Sequence, residues 1–558
     1  MMTPGYAWHR RVWRSAAAVA AVRRWSGSQL HGTPADDRNG RDGRSAWMED
    51  GRRNGRGDAS SVFALSSGGG RAGVAVLRVS GPHAAAALLR MTGARALPRP
   101  RHAALRRIVH PLSGEALDRG LVLWFPGPNS FTGEDSCEFQ VHGGPAVVSA
   151  ILRALGEIEG LRPAEAGDFT KRAFQNGRLE LTEVEGLGDL IHAETEAQRR
   201  QALRQMEGDL GRLYSAWSDR LKQCLAHVEA YIDFSEDDNI EDGVLQRVEA
   251  EVRRLSAEVS AHLRDGRQGE RLRSGLQVVI AGPTNAGKSS LLNALCQRPA
   301  AIVSPIAGTT RDVVETALDL AGYPIVLSDT AGLRPSLDPV EQEGVRRARQ
   351  RLRQADIAVV VLDATEVARG SCDLEATLLA RAQSILDDGD FATPATPATP
   401  VTPATPVTPA LIPLPPEDGG QASERRECIV VLNKVDLLQR DAAEARMGER
   451  AMPGVCAVSC QTEEGLDEFL RLLKEKVEKM CGDPLTGHAS LTQARHRTLL
   501  GGCAAALSDF LATSGPAMDV VLGAEHLRSA MRQLGRITGR VGAEDILDVI
   551  FRDFCIGK

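Results

Sequence analysis

Gln277-Val-Val-Ile-Ala-Gly-Pro-Thr-Asn-Ala-Gly-Lys-Ser-Ser-Leu291 is the stretch from which the rest of the chain can be read. An apolar run, Val278 to Ile280, leads into Gly282-Pro-Thr-Asn-Ala-Gly287-Lys288-Ser289. The spacing is G-x-x-x-x-G-K-S/T, with a predicted buried strand before it and a predicted helix from Ser290 onward. Glycine is needed because a Cβ would block backbone N–H groups from curling around a phosphate. Gly282, Asn285, Ala286, Gly287, Lys288, Ser289 and Ser290 are therefore the expected phosphate cradle. Lys288 brings a point charge to the β- and γ-phosphates, the Ser289 hydroxyl is a Mg²⁺ ligand, and the helix N-terminus adds partial positive charge.

Downstream segments select the nucleotide. Ile325-Val-Leu-Ser-Asp329-Thr-Ala-Gly332 is an apolar strand ending in D-x-x-G. Asp329 is expected to hold Mg²⁺ through water, and the Gly332 N–H to meet the γ-phosphate. Between cradle and strand lies Gly308-Thr309-Thr310-Arg311-Asp312, where Thr310 completes the Mg²⁺ shell when a γ-phosphate is present. Cys428-Ile-Val-Val-Leu432-Asn433-Lys434-Val435-Asp436 ends in N-K-x-D. A carboxylate at Asp436 accepts two hydrogen bonds from guanine N1 and N2, whereas adenine leaves it unpaired. This is the argument for GTP over ATP. Ala457-Val-Ser459-Cys460 fits a last loop whose backbone N–H groups touch guanine O6.

A chain of 558 residues is long enough for three or four domains. A net charge of −6 gives no global basic field, so RNA contact requires a local patch or a partner. Ten cysteines without a C-x-x-C pair read as reduced thiols. No apolar run approaches the ~20 residues of a membrane span. Residues 1–35 carry Arg10, Arg11, Arg14, Arg23 and Arg24 and no acid before Asp36, with Trp8, Val12, Ala16, Val19 and Val22 spaced for one helix face. That is the composition of a mitochondrial transit peptide, and residues 36–57 read as a disordered leader.

From about Ser60 strands are expected at Ser61–Leu65, Gly73–Val79, Leu121–Phe125 and Cys137–Val141, with helices at Pro82–Met91 and Pro145–Leu155. This is a compact α/β domain, 58–175. Leu203, Met206, Leu210, Leu213, Trp217, Leu221, Leu225, Val228 and Ile232 recur at steps of three or four, predicting one long helix packed in a bundle. A second helix is expected over Leu245–Leu263. After a nucleotide module at 275–482, helical periodicity returns at Leu499–Leu511, Leu527–Ile537 and Ile546–Phe551. The economical architecture is one helical domain, 176–274 and 483–558, with the nucleotide module inserted in it. Ala392–Pro409 is a Thr-Pro repeat within a proline-rich insert at 392–416; proline at every third position favours polyproline II, so a surface excursion is expected.

Many small GTPases place a glutamine after D-x-x-G to orient water. Here that residue is Leu333, so another group must do this; Glu341 and Glu343 lie just beyond. Asn285, with carbonyls near Ser304 to Thr309, either holds a monovalent cation beside the β/γ bridge or only shapes the loop.

Gly70-Arg-Ala-Gly-Val-Ala-Val-Leu-Arg78-Val-Ser-Gly81, Ser130-Phe-Thr-Gly-Glu-Asp135, His142-Gly-Gly-Pro145, Gly167-Asp-Phe-Thr-Lys-Arg-Ala-Phe-Gln-Asn-Gly-Arg178-Leu-Glu-Leu181, Gly282–Ser289, Ile306–Asp312, Asp329–Arg334 and Phe554-Cys-Ile-Gly-Lys558 together closely resemble the tRNA-modification GTPases of the MnmE/TrmE family, in the mitochondrial form. The resemblance implies a multidomain α/β plus α fold: an N-terminal α/β folate-binding-like domain that dimerises, and a helical bundle domain interrupted by a Ras-like P-loop GTPase domain. It implies that Arg78, Glu138, Arg178 and Lys558 contact 5-formyl- or 5,10-methylene-tetrahydrofolate. Arg178 stands where relatives commonly have lysine. It further implies K⁺-stimulated hydrolysis, with Asn285, Ser304, Ile306 and Thr309 as cation ligands and Glu341 orienting water, in a catalytic set with Lys288, Thr310 and Gly332. Cys555 is open to two readings, direct chemistry near the folate or a buried structural thiol. The implied reaction modifies C5 of the wobble uridine of mitochondrial tRNA, giving 5-taurinomethyluridine, with an FAD-containing MnmG/GidA-like partner in the matrix. The alternatives are a GTP-switched ribosome-assembly or RNA-binding factor, and a scaffold that barely hydrolyses.

Overall fold

Alternation of inward and outward side chains builds the first sheet of the computed structural model, which describes residues 60–234, 243–297, 315–329, 350–368, 374–388, 427–438, 452–483, 490–514, 519–541, 550–552 and 554–557. Its elements are β1 (Ser61–Leu65), β2 (Ala72–Ser80), α1 (Ala84–Thr92), β3 (Ala104–Val109), β4 (Ala116–Phe125), β5 (Ser136–Gly143), α2 (Pro145–Gly156), β6 (Leu161–Pro163) and α3 (Asp168–Gln175). The order is β3-β4-β5-β2-β1-β6, antiparallel except for the β1–β6 pair. Leu77, Val79, Phe139 and Val141 face one side and meet Leu88 and Met91 of α1 and Ile151 and Leu155 of α2. Leu105 and Leu121, cross-strand partners, are instead exposed. A period of two forces that split: Val122 and Trp124 point in, so Leu121 points out.

The helical part comprises α4 (Leu181–His192), α5 (Glu196–Met206), α6 (Asp209–Phe234), α7 (Val244–Leu263) and α8 (Gln268–Ser274). The single long helix expected through Leu203–Ile232 is corrected here to two. Gly208 sits at φ +89, in the left-handed region that ends helices, and α6 starts at Asp209. Leu203 and Met206 fall on α5, whose buried residues are Ala197, Ala202 and Gln205, so the stripe's first two members belong to a different helix. From Leu210 on, Leu210, Trp217, Leu221 and Val228 are buried as expected, whereas Leu213, Leu225 and Ile232 are only half-buried and Tyr214 and Cys224 take the inward positions beside them.

The nucleotide module contains β7 (Leu276–Ala281), α9 (Lys288–Cys296), β8 (Glu315–Leu320), β9 (Tyr323–Asp329), β10 (Ile357–Asp363), α10 (Ala364–Ala368), α11 (Leu374–Asp388), β11 (Glu427–Asn433), β12 (Val455–Val458) and α12 (Leu466–Cys481). The order is β12-β11-β10-β7-β9-β8, parallel except for β8–β9. β10 and β11 are buried almost throughout, as expected of central parallel strands covered on both faces. The carboxyl ends of β7, β10 and β11 lie together, where ligands bind in such sheets.

Two more helices follow, α13 (Ala494–Thr513) and α14 (Val520–Thr538). One apolar core unites Leu221, Val228, Val252 and Leu255 from before the nucleotide module with Leu500, Leu507, Phe510 and Leu527 from after it. Each such fully buried side chain contributes about 1.5–3 kcal/mol, so each block relies on the other's face to bury its own. The module is thus an insertion whose two chain ends are rooted in one bundle. Arg497 donates to Asp265 and Glu270 at 2.7 Å each, Arg273 to Asp189 at 2.7 Å, and Arg271 to Asp356 at 2.8 Å, so α8 is tied to the bundle on one side and to the module on the other. Phe551 and Phe554 pack with Val184, Ile556 bridges to Ala166, and the Ser66 hydroxyl donates to the Gly557 carbonyl at 2.9 Å, which carries the tail back to the first domain.

The transit segment and leader, Ser304, Ile306, Gly308 to Asp312, Gly332, Leu333, Glu341, Glu343, the Thr-Pro insert, Ile546, Leu547 and Lys558 lie outside the described residues. No helix among the described residues is long and apolar enough to cross a membrane.

Candidate functional site

The apolar residues of β7 drive it into the middle of the sheet, and the chain leaves it at Gly282. A Cβ on Gly282 would lie 2.1 Å from the Val361 carbonyl oxygen, and φ is +149, so only glycine fits. Asn285 follows at φ +64, exposed. Ala286 is buried, and Gly287 at φ +96 would place a Cβ 2.0 Å from the Asn433 amide nitrogen. Lys288 opens α9 and is 7% exposed, its Nζ donating to the carbonyls of Gly282 at 2.9 Å and Pro283 at 2.8 Å. The ammonium is thus held across the mouth of its own loop. Ser289 and Ser290 are exposed in the first turn of α9. Asp329 ends β9, in register with Ile280, two residues before Gly282.

The segment that follows β11 is joined to this cradle. Asn433 is 2% exposed; its Nδ2 donates to the Ala286 carbonyl at 2.9 Å, and its Oδ1 accepts from the Cys460 N–H at 3.3 Å. One buried amide therefore links the phosphate loop, the end of β11 and the last loop. Lys434 is at φ +66 and donates to Asp363 Oδ2 at 2.8 Å. Burial, the largest influence on Asp363, would raise its carboxyl; the Lys434 and Thr365 hydrogen bonds outweigh it and hold the group below the usual range. Asp436 is exposed on the short turn Val435–Leu437. It lies near Cys460, whose thiol is pushed up first by burial and then by the Asp436 charge. Ser459 is fully buried and its hydroxyl accepts from the N–H groups of Gln461 and Thr462, which fixes the loop that Cys460 begins.

A second cluster lies on the first domain. Arg78 and Glu138 are register partners on β2 and β5, and the guanidinium donates from Nε at 3.0 Å and Nη2 at 2.9 Å to Glu138 Oε1. The same guanidinium lies over the rings of Phe131, 5.4 Å from the centroid, and Phe169, 5.7 Å. Arg178 is exposed, its stem passing Gly133, two residues beyond Phe131. Cys555 is exposed, which removes the buried-thiol reading. Phe131, Phe169 and Asp363 were not singled out from the sequence; the two phenylalanines stood inside the quoted motifs, and Asp363 was signalled by an acid at a strand end followed by Thr365. Among the described residues no group of His, Cys, Asp and Glu forms a metal cluster.

Comparison with known proteins follows the same division. Residues 61–178 match the family described as the GTP-binding protein TrmE N-terminus, and residues 181–555 match the MnmE helical domain. The chain is 55% identical over 502 residues to the mitochondrial 5-taurinomethyluridine-tRNA synthase subunit GTPB3 of Danio rerio, covering 89% of this chain and 93% of that protein. It is 53% identical over 505 residues to the Homo sapiens protein of the same name, covering 90% and 94%. It is 47% identical over 498 residues to the tRNA modification GTPase MnmE of Parvibaculum lavamentivorans, covering 89% and 100%.

Proposed function

This chain belongs to the MnmE/TrmE family of tRNA-modification GTPases, and from that premise we propose that it hydrolyses GTP in mitochondria to drive modification at C5 of the wobble uridine of tRNA, giving 5-taurinomethyluridine. The observation that carries this reading is the buried Asn433 amide, which ties an anion cradle opened by Gly282 to a loop bearing Asp436. A nucleotide whose phosphates enter the cradle is thereby presented to an acid suited to guanine.

Lys288 counters charge on the β- and γ-phosphates, and the Asn433 bridge sets the span from cradle to base. The donors fit a hard cation: the Ser289 hydroxyl stands in the first turn of α9 and Asp329 ends the neighbouring strand, so Ser289, Thr310 and Asp329 would hold Mg²⁺. Asn285, exposed in the loop at φ +64, would hold K⁺ with Ser304, Ile306 and Thr309. Bound there, the cations supply neutralisation of phosphate charge. Glu341 is the residue proposed to orient water. Turnover that is faster in K⁺ than in Na⁺, and Glu341→Ala retaining GTP binding while losing hydrolysis, are the expected results; equal rates in both salts would remove the K⁺ assignment.

On the first domain Arg78, Glu138 and Arg178, with Lys558, would hold a tetrahydrofolate. The fit rests on the paired Arg78 and Glu138 beside the exposed ring of Phe131, which suits a flat heterocycle with donors and acceptors at its edge. The folate supplies a one-carbon unit. The exposed apolar pair Leu105 and Leu121 supports a homodimer formed through this sheet. An FAD-containing subunit is the proposed partner in the uridine chemistry. Nucleoside analysis of mitochondrial tRNA from cells lacking the protein tests the function: 5-taurinomethyluridine should disappear and return with the wild-type chain but not with Lys288→Ala. Unchanged nucleoside content would refute it.

A further inference from the structure

Asp363 is the last residue of β10. Its carboxylate is divided between two tasks. Oδ1 accepts from the Thr365 N–H at 2.8 Å and the Thr365 hydroxyl at 2.7 Å, and Oδ2 accepts from Lys434 Nζ at 2.8 Å. Its side chain is 13% exposed and that of Lys434 31%. Asp363 is also the register partner of Asn433 across the β10–β11 ladder, so the acid stands on a fixed strand beside the start of the base-recognition segment. Lys434 lies between Asn433, tied to the phosphate loop, and Asp436, the acid assigned to the base. Its backbone is at φ +66, a conformation lysine adopts only when its surroundings dictate it.

A lysine whose ammonium is anchored offers its methylene stem as a fixed apolar surface, on which a flat base can rest. With the anchor gone, the same stem samples its rotamers in water, and that freedom must be lost again at each binding event. The Thr365 bonds stop Asp363 from following the lysine. The acid is thus immobilised on one oxygen and used on the other.

Resting on the GTPase reading, we infer that Asp363 is a positioning residue for nucleotide retention, acting by clamping Lys434 beside the base site. Asp363 acts through Lys434 and needs no contact with the nucleotide. It governs nucleotide retention and leaves the phosphate chemistry to Lys288.

The test uses the full chain and a fluorescent GDP. Asp363→Asn keeps an acceptor for Thr365 but loses the charge that holds Lys434; Thr365→Val loses one anchor bond and keeps the ion pair. Asp363→Asn should release GDP about tenfold faster and raise the KM for GTP by a similar factor with kcat little changed, as loss of one charge-assisted hydrogen bond predicts. Asp363→Glu should recover part of the loss. Lys434→Ala should show the same defect, and adding Asp363→Asn to it should bring no further one. Thr365→Val should stay within a factor of two or so of wild type in GDP release. Release from Asp363→Asn at the wild-type rate, or additive defects in the double variant, would overturn the inference. A wild-type chain that binds GTP and ATP alike would instead overturn the GTPase reading itself.

Discussion

Asn433 donates from Nδ2 to the Ala286 carbonyl across 2.9 Å, and both residues are buried. The bond joins the Gly282–Gly287 loop to the end of β11, the two halves of the proposed nucleotide site. Asn433→Ala leaves the Ala286 carbonyl and the Cys460 N–H without this partner, at a cost of about 1–3 kcal/mol. Nucleotide affinity should fall roughly ten- to a hundredfold, with a lower melting temperature of the nucleotide-free protein. Calorimetric titration and a thermal melt check both; unchanged affinity would show that the bridge does not set the site.

Gly282→Ala tests the close approach of cradle and sheet. Its Cβ would lie 2.1 Å from the Val361 carbonyl oxygen, backbone against backbone, at a φ of +149. The loop must shift, with a loss of several kcal/mol in nucleotide binding or folding. GTP binding by equilibrium titration should be lost, while the circular dichroism of the helical bundle persists.

Among the described residues Glu185 is a buried carboxylate held well below its ordinary range. It is 4% exposed, and accepts from His496 Nε2 at 2.9 Å and from Arg495 Nε at 2.5 Å. Burial is the largest influence and would raise its carboxyl, but His496 and Arg495 outweigh it and bring the group down from 4.5 to about 2. A carboxylate lowered on folding stabilises the fold above its unfolded value and loses that contribution as pH falls. The contribution, of order 3 kcal/mol, should therefore be complete above about pH 4.5 and disappear toward about pH 2. Denaturant melts of wild type and Glu185→Gln across that range should converge as pH falls; curves separated by a constant gap would contradict the assignment.

Cys555 should be the thiol that reacts first among the described residues. It is exposed, whereas burial pushes Cys224 and Cys456 up to about 11 and Cys481 and Cys503 up to about 12. Limiting iodoacetamide followed by peptide mass spectrometry should place the early label on Cys555. Cys555→Ser should leave GTP turnover unchanged, and its effect on tRNA modification distinguishes chemistry from position.

How much of this could be read in advance varied with the physics involved. The buried strands around the cradle were legible because parallel central strands demand continuous apolar runs: Val278–Ile280 and Ile429–Leu432 are such runs. β3 was not, since Ala-Leu-Arg-Arg-Ile-Val at Ala104–Val109 lies at a sheet edge with Ile108 its buried member, and so shows no alternation. The break at Gly208 escaped because a stripe at steps of three and four continues numerically across it, and only the backbone angle reveals the turn. In the site, Asp436 and Lys288 carry motifs, whereas the Asp363–Lys434 pair depends on a strand register that links residues far apart in the chain. The same holds for Arg78 over Phe169, which needs α3 folded back beneath β2.

The most direct test of the account is a titration of the purified protein with GTP and with ATP in the presence of Mg²⁺, repeated on Asp436→Asn with xanthosine triphosphate. GTP should bind at least ~10³-fold tighter than ATP, and Asp436→Asn should switch toward the xanthine nucleotide. Equal affinity of the wild-type chain for GTP and ATP would contradict it.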